Sequence, residues 1–173
     1  MATKKSVWVL FSILVISAWV FGSAIQAGAE TMKCRLAVTA TKDERMPVGD
    51  EERHLLGMNR MEGLAFFENG EIAKVRSDSI FDSIPGKGTQ AITYTFFTFY
   101  DGSTVIARGQ RVIAPGQTGS LPAQNIGEII KGTGRFEGIK GTTSATGKQF
   151  PRTKEEPSRA ANDVTFTYTL PSK

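Results

Sequence analysis

Hydrophobic and polar residues alternate along several short segments of this chain. The clearest case is VTFTYTL, Val164 to Leu170, which as an extended strand places Val, Phe, Tyr and Leu on one face and three threonines on the other. Similar runs rich in Thr, Val, Ile, Phe and Tyr recur between glycine-containing turns, with no internal repeat. This pattern is typical of an all-β domain.

The spacing predicts about eight strands, most of them in sequential hairpins. Asn69-Gly70 and Asp101-Gly102 mark the two strongest hairpins, because both dipeptides favour the positive φ angles of type I′ turns. With a two-residue turn at Asp101-Gly102, Tyr94 is expected opposite Gly109. The predicted strands are Cys34–Thr41, Gly63–Phe67, Glu71–Ile80, Thr89–Tyr100, Ser103–Ala114, Asn125–Lys131, Arg135–Gly147 and Val164–Leu170.

Two polar stretches are predicted to be loops. Lys42–Arg60 is expected to be a long loop with a short helix near Asp50–Leu56, and Pro151–Asn162 a charged loop. Eight antiparallel strands can close into a barrel, which removes the sheet edges and encloses room for one small ligand.

The glycine-rich stretch Lys131–Phe150 almost matches two phosphate-binding motifs. Its G-x-G-x-x-G candidate has one residue too many before the last glycine. Its P-loop candidate, ending at Gly147-Lys148, has five residues between glycines where the motif has four. Both motifs also need a helix, which Pro151 and the Thr/Gly-rich composition disfavour. We therefore expect no nucleotide binding, and interpret the glycines as bends or bulges of a curved sheet.

The same glycines carry a family resemblance. The spacing from Gly132 to Gly141, G-T-G-x-F-x-G-x-x-G, resembles the late-barrel signature of allene oxide cyclases and dirigent proteins, and FYDGSTV from Phe99 to Val105 is similar to the preceding hairpin of that family. The resemblance covers Tyr94 to Leu170. It implies an eight-stranded antiparallel β-barrel with a largely apolar cavity, often assembled as a homotrimer, that restricts the conformations of its substrate.

The N-terminal 29 residues differ from the rest of the chain. Lys4 and Lys5 precede an uncharged apolar run from Val7 to Phe21, and the small residues that follow end in Ala27-Gly28-Ala29. This arrangement predicts a signal peptide cut after Ala29, and hence a secreted or extracytoplasmic protein. The alternative is an uncleaved membrane anchor. The predicted domains are thus a signal peptide, residues 1–29, and a β-barrel domain, residues 30–173.

Cleavage would leave a single domain of low net charge. Removing 29 of 173 residues leaves 144, with two fewer Lys and the same number of acids, so that the net charge falls from +4 to +2. Basic and acidic residues are mixed, so nucleic acid is not an expected partner. Cys34 is the only cysteine and is expected to be buried, an intermolecular partner and a reactive thiol being the alternatives.

Aromatic residues are the best candidates for lining a pocket. Tyr94 and Phe96 share one strand face, and Phe166 and Tyr168 share a face of the last strand; core packing is the ordinary alternative for all four. Arg108 and Arg111 fall on opposite faces of one strand, so one of them could point inward and hold a carboxylate ligand; the ordinary alternative is a surface arginine whose apolar stem lies along the barrel wall. The predicted ligand-binding residues are Tyr94, Phe96, Phe166, Tyr168 and Arg108.

The chain offers little for catalysis or metal binding. His54, the only histidine, lies in a charged segment and is expected to be a solvated loop residue. A buried carboxylate remains a candidate acid or base, from Glu62, Glu71, Asp78 or Asp82, although these can equally cover a polar face. No catalytic residue, metal site or cofactor is assigned.

Three functions are consistent with these observations. The preferred one is an exported barrel that binds or orients a small apolar or aromatic molecule. The alternatives are an isomerase or cyclase acting on an oxidised fatty-acid-like substrate, and a barrel with a filled interior that serves oligomer or protein contacts. An open apolar cavity, an inward ionisable residue beside a cavity, and a packed interior would distinguish the three.

Overall fold

The chain forms one closed antiparallel barrel. A computed structural model describes residues 28–115 and 121–171. Each strand pairs with the next, and the last pairs with the first. The strands are β1 Glu30–Pro47, β2 Leu55–Phe67, β3 Ile72–Ile84, β4 Gly88–Phe99, β5 Thr104–Ile113, β6 Leu121–Thr133, β7 Lys140–Phe150 and β8 Arg159–Thr169.

The predicted all-β, eight-stranded antiparallel barrel is therefore confirmed, with the strands in chain order around the wall. Within residues 28–115 and 121–171, no helix is both long and apolar enough to cross a membrane. Except for Gly28 and Ala29, the predicted signal peptide lies outside the described residues.

The predicted long loop at Lys42–Arg60 is wrong. β1 continues to Pro47 and β2 begins at Leu55, so the connection is confined to Val48–His54 and contains no helix. The polar residues of this stretch pair across the two strands, for example Asp43 with Asn59 and Arg45 with Gly57, beyond a register shift between Ala40 and Lys42. Backbone pairing supplies hydrogen bonds whatever the side chain, so a polar sequence here did not prevent strand formation.

The hairpin between β4 and β5 has a longer turn than predicted. The backbone N–H of Phe99 donates to the carbonyl of Ser103 at 2.9 Å, which leaves a three-residue loop, Tyr100 to Gly102. Tyr94 consequently pairs with Arg108, and Thr93 rather than Tyr94 lies opposite Gly109. Three-residue loops with glycine at a positive φ are a common hairpin type, and Gly102 has φ of 80°.

The first part of the glycine-rich segment Lys131–Phe150 forms the turn between β6 and β7, and its second part forms β7. β6 ends at Thr133, and a single 3-10 turn, Gly134–Phe136, leads to β7 at Lys140. Gly134 and Gly138 have φ of 62° and 75°, a region that favours glycine. At Gly141 a Cβ would overlap the backbone of β8 at Thr167. The segment therefore forms no phosphate-binding helix, and its glycines serve the backbone, as the sequence predicted.

Alternate residues of each strand point inward, and one half of the interior is filled with rings. We call this the aromatic half; its members are Phe67, Phe97, Phe99, Phe136 and Phe166. Ring centroids lie 5.0 Å apart for Phe97 and Phe166, which are nearly perpendicular, and 4.9 Å apart for Phe99 and Phe136. Such contacts stabilise beyond the area that they bury. The predicted inward face of β8, with Val164, Phe166 and Tyr168 buried, is confirmed.

An arginine covers the end of the aromatic half. The Arg135 guanidinium lies 4.7 Å from the ring centroid of Phe99 and 4.8 Å from that of Phe136. It pairs with Glu71 at 2.6 Å and lies 3.7 Å from Asp101. Stacking on two rings while bonded to a carboxylate holds the guanidinium over the barrel end.

Cys34 is buried in the same half, as predicted, and burial raises the pKa of its thiol to about 12. The thiol is therefore protonated at neutral pH, which disfavours the alternative of a reactive thiolate.

Candidate functional site

The other half of the interior is incompletely filled, and its lining mixes apolar side chains with several polar ones, for which we name it. We call it the polar half; its members are Ser77, Thr93, Thr95, Arg111 and Asn125. A cavity of about 60 Å³ lies among these residues, starting where Phe97 and the aromatic half end. The remaining lining residues are Leu36, Val38, Met61, Val75, Ala107, Gly109, Ala123, Gln124, Thr143, Ala145, Asn162 and Val164.

Arg111 is the charged residue of this cavity. On β5 it continues the inward series of Val105, Ala107 and Gly109, and only 9% of its surface is exposed. Its Nη1 lies 4.0 Å from the sulfur of Met61, a weak acceptor, and its Nε has no hydrogen-bond partner within residues 28–115 and 121–171. The absence of solvent lowers the pKa of the guanidinium from its usual value.

No acidic side chain of the described residues forms an ion pair with Arg111. The residues outside residues 28–115 and 121–171 contain no Asp or Glu at all. The side chains of this protein therefore leave the buried guanidinium without a carboxylate.

Neutral groups beside Arg111 are held in a fixed arrangement. The Asn125 amide donates to Thr93 Oγ1 at 3.0 Å, and that hydroxyl donates to the carbonyl of Gly109 at 3.4 Å. A Cβ at position 109 would collide with the Asn125 side chain, so glycine is required for Asn125 to lie across β5. This network orients an amide and a hydroxyl toward the same cavity that Arg111 lines.

The size and composition of the cavity limit its chemistry. A volume of about 60 Å³ accommodates a few water molecules or a small polar group, whereas pockets for drug-sized ligands are typically about 300–1,000 Å³. Arg111 is the only ionisable side chain among its described lining residues. The lining therefore supplies hydrogen bonds and one positive charge, but no carboxylate or imidazole for general acid–base chemistry.

Three of the predicted site residues lie on the outer surface of the barrel. Tyr94 is 40% exposed, Phe96 stacks under the guanidinium of Arg76 at 4.2 Å, and Arg108 is 3.7 Å from Glu128 across the outer face. Their side chains do not line the interior cavity; Tyr94 and Arg108 instead line separate grooves on the outer face.

The other two predicted residues, Phe166 and Tyr168, are inside but belong to the filled end. Phe166 is fully buried among Phe67 and Phe97, and the Tyr168 hydroxyl donates to Glu30 at 2.9 Å. Burial and this bond raise the pKa of Tyr168 to about 12. The structure therefore places three of the five on the outer face, two in the filled end and none beside the cavity; ligand binding by these five residues stays a prediction.

Arg108 is the predicted ligand-binding arginine, although the sequence pattern favours Arg111 as the inward one. Arg108 and Arg111 differ in parity, and only Arg111 shares its parity with Val105, Ala107 and Gly109. Small and apolar residues at alternate positions favour an inward face, whereas Gln110 and Arg108 favour the outer one. That signal identifies Arg111 as the inward arginine.

The expectation for His54 is wrong, because the side chain is buried. Its Nδ1 lies 2.6 Å from Asp50 and its Nε2 2.9 Å from Asp82, which links the β1–β2 connection to β3. Donation from both ring nitrogens requires the imidazolium form, so the bond to Asp50 and then that to Asp82 raise the pKa of His54. This arrangement is structural and lies apart from the cavity.

The candidate carboxylates also lie away from the cavity. Glu62 is exposed, Glu71 bonds to Arg135, Asp78 bonds to Arg60, and Asp82 bonds to His54. Among the residues that the structure describes, no group of three or more His, Cys, Asp or Glu side chains is placed to hold a metal ion.

Comparison with known proteins adds a structural similarity only. No protein-family model matches the chain, and no curated protein sequence is similar to it. Its structure is similar to that of the pterocarpan synthase dirigent protein PsPTS1, with a TM-score of 0.46, 14% identity, and coverage of 83% of this chain and 97% of that one.

A second similar structure is that of the pterocarpan synthase dirigent protein GePTS1, with a TM-score of 0.49, 12% identity, and coverage of 84% of this chain and 88% of that one. These identities are too low to assign a family, and the resemblance to allene oxide cyclases stays a prediction. What the structure establishes is the fold, a closed eight-stranded antiparallel β-barrel whose polar half contains a buried arginine beside a cavity.

Proposed function

We propose that this protein is a small-molecule-binding barrel whose ligand is held in the polar half. The observation that carries the proposal is the cavity itself: it lies beside buried polar groups, and the Nε of Arg111 has no hydrogen-bond partner among the described residues. Buried polar groups are nearly always hydrogen-bonded, so an unpartnered one at a cavity favours an added partner.

Binding is favoured over isomerisation by the lining. The inward ionisable residue beside the cavity is Arg111, but a guanidinium stays protonated at neutral pH and does not abstract or deliver a proton. The described lining contains neither carboxylate nor imidazole to do so. A barrel that positions a ligand through hydrogen bonds and shape needs no such group. The signal-peptide prediction leads us to propose further that the protein acts outside the cytoplasm.

The ligand is small, or only its polar end enters the barrel. The cavity of about 60 Å³ is too small for an aromatic molecule of drug size. Arg135 and the packed rings block the opposite end, so entry is from the polar half. The predicted apolar or aromatic ligand is therefore proposed in a modified form, with a polar group innermost.

Filling the cavity tests this proposal. Ala145→Leu adds three carbons at a lining position, and Ala161→Leu makes the same change at an exposed position of β8. Native mass spectrometry of the purified protein should detect a bound small molecule in wild type and in Ala161→Leu, and lose it in Ala145→Leu. Equal retention by all three proteins, or no bound molecule in any, would contradict an interior site.

A second candidate function, contact with another copy of the chain, is favoured by the outer face. Met58, Ile80 and Ile92 are cross-strand partners on β2, β3 and β4, and all three are exposed, Ile80 by 63%. Contiguous exposed apolar residues commonly mark protein contacts. Sedimentation velocity of wild type and Ile80→Asp tests the predicted homotrimer: the variant should sediment as a smaller species, and unchanged sedimentation would exclude this face.

A further inference from the structure

We infer that the ligand of the polar half carries a carboxylate group, and that Arg111 is the residue that pairs with it. This inference rests on the proposed function and names the chemical class of its ligand. It depends on three observations: the charge of Arg111, its burial without an acidic partner, and the neutral composition of everything else that lines the cavity.

The charge of Arg111 persists in spite of its burial. An arginine guanidinium stays protonated in proteins at neutral pH, because its usual pKa is far above that range. Removing such a charge from water is unfavourable unless an opposite charge and hydrogen bonds compensate. In the described residues the contacts of the guanidinium are with Met61 and other neutral groups, so the protein alone does not provide that compensation.

The geometry of the guanidinium selects the class of anion. Its planar array of N–H donors matches the two oxygens of a carboxylate, which accepts two parallel hydrogen bonds. One guanidinium supplies one positive charge, and the lining holds no second cation. A monovalent carboxylate is therefore a better match than a phosphate, which carries more charge and occupies more of a cavity of about 60 Å³.

Neutral neighbours complete the site. The hydroxyl of Thr95 and the second N–H of the Asn125 amide line the same cavity and provide hydrogen-bond donors for oxygens that Arg111 does not reach. No described acidic side chain lines the cavity to repel an anion. Water alone could satisfy the free Nε but would not neutralise the charge, which is why an anion is favoured over a purely hydrated cavity.

Pairs of acids and amides of equal size test the charge of the ligand. Acetate and acetamide, and benzoate and benzamide, are compared at constant ionic strength by calorimetric titration and by the rise in Tm of the full purified protein. Each acid should bind wild type at least about tenfold more tightly than its amide, because hydrogen bonds to charged partners are stronger than neutral ones.

Two arginine variants assign the effect to one residue. Arg111→Met keeps an unbranched apolar side chain beside Met61 and should abolish the preference for acids. Arg35→Met removes the same charge from the outer face of β1, where Arg35 pairs with Asp163, and should retain the preference. Circular dichroism confirms that both variants are folded, and the acid–amide comparison in wild type needs no variant at all.

The outcomes separate the inference from the function on which it rests. If amides bind wild type as tightly as acids, the carboxylate inference is overturned while interior binding stands. If acids are preferred equally by wild type and Arg111→Met, Arg111 is not the partner. If neither probe binds and the cavity-filling variant retains whatever wild type retains, the proposed function fails together with the inference.

Discussion

The two halves of the barrel interior differ in how completely side chains fill them. In the aromatic half five rings pack within about 5–6 Å of one another, and Arg135 covers the end. In the polar half the wall curves around small residues such as Ala107 and Gly109, and a single long cation, Arg111, occupies the space beside a cavity.

The difference separates stability from function. Ring packing buries apolar surface and needs no partner outside the chain. A buried guanidinium with an unpartnered nitrogen opposes folding, which is consistent with the proposed role of Arg111 in holding a ligand. We therefore expect substitutions in the two halves to shift stability in opposite directions.

The largest effect is expected in the aromatic half. Phe166→Ala should lower the free energy of unfolding by about 3–5 kcal/mol, because Phe166 is fully buried and its removal leaves a cavity among Phe67 and Phe97. Chemical denaturation measures the change. Phe66→Ala, at an outward position with 47% exposure, is the matched control and should change stability far less. Equal losses would mean that the rings do not form the stabilising core.

An opposite and smaller effect is expected in the polar half. Arg111→Met should raise the free energy of unfolding of the ligand-free protein by about 1–3 kcal/mol, since it removes a buried charge and keeps the apolar stem. Denaturation after exhaustive dialysis measures this change. A destabilised variant would show that the guanidinium is already satisfied within the protein, and would remove the contrast between the halves.

His54 and Glu71 should contribute to the pH dependence of the free energy of unfolding with opposite signs. The raised pKa of His54 stabilises the fold fully below pH 6.5, and this contribution is lost as pH rises through the folded-state value. Glu71, whose pKa is lowered first by Asn69 and then by Arg135, stabilises above pH 4.5, and its contribution is lost as pH falls through its lowered value.

Thermal melts of two variants across pH test this contrast. In His54→Gln the decline of Tm above pH 6.5 should flatten relative to wild type, while the acid limb is kept. In Glu71→Gln the acid limb should flatten and the alkaline one persist. Identical profiles in all three proteins would show that neither group contributes to the pH dependence of stability.

The smallest effect is expected at the outer arginine of β5. Arg108→Met should change the free energy of unfolding by less than about 1 kcal/mol, because its pair with Glu128 is long, at 3.7 Å, and exposed. The same denaturation experiment compares it with Arg111→Met, three residues away. A change as large as that at Arg111 would show that the inward or outward position of the side chain does not account for the difference between the two arginines.

Local sequence patterns predicted about eight antiparallel strands, and the resemblance carried by Gly132 to Gly141 implied their closure into a barrel. Val164–Leu170 alternates so regularly that its buried face follows from the sequence, and Asn69-Gly70 and Asp101-Gly102 locate two hairpins. The bounds of β1 and β2 were not predictable in the same way, because their polar residues form a strand only through pairing with each other. Strand propensity depends on such context more than helix propensity does.

The candidate site was less predictable than the fold. β4 carries aromatic residues on both faces, Tyr94 and Phe96 on one and Phe97 and Phe99 on the other, so alternation alone does not tell inside from outside. The neighbouring strand resolves the choice, since Thr93 lies opposite Gly109 and Arg111 lies on the same inward face. That register depends on a three-residue turn, which the dipeptide Asp-Gly did not reveal.

The wall is completed by pairing between the first and last strands, with Cys34 opposite Val164 across almost the whole length of the chain. During synthesis β8 emerges last, so until then β1 and β7 each expose a row of unpaired backbone groups. Contacts so distant in sequence also form slowly. Before β8 pairs, the nascent barrel is therefore an open sheet with two unpaired edge strands. Unless these edges are protected, they can pair with other chains and lead to aggregation instead of folding.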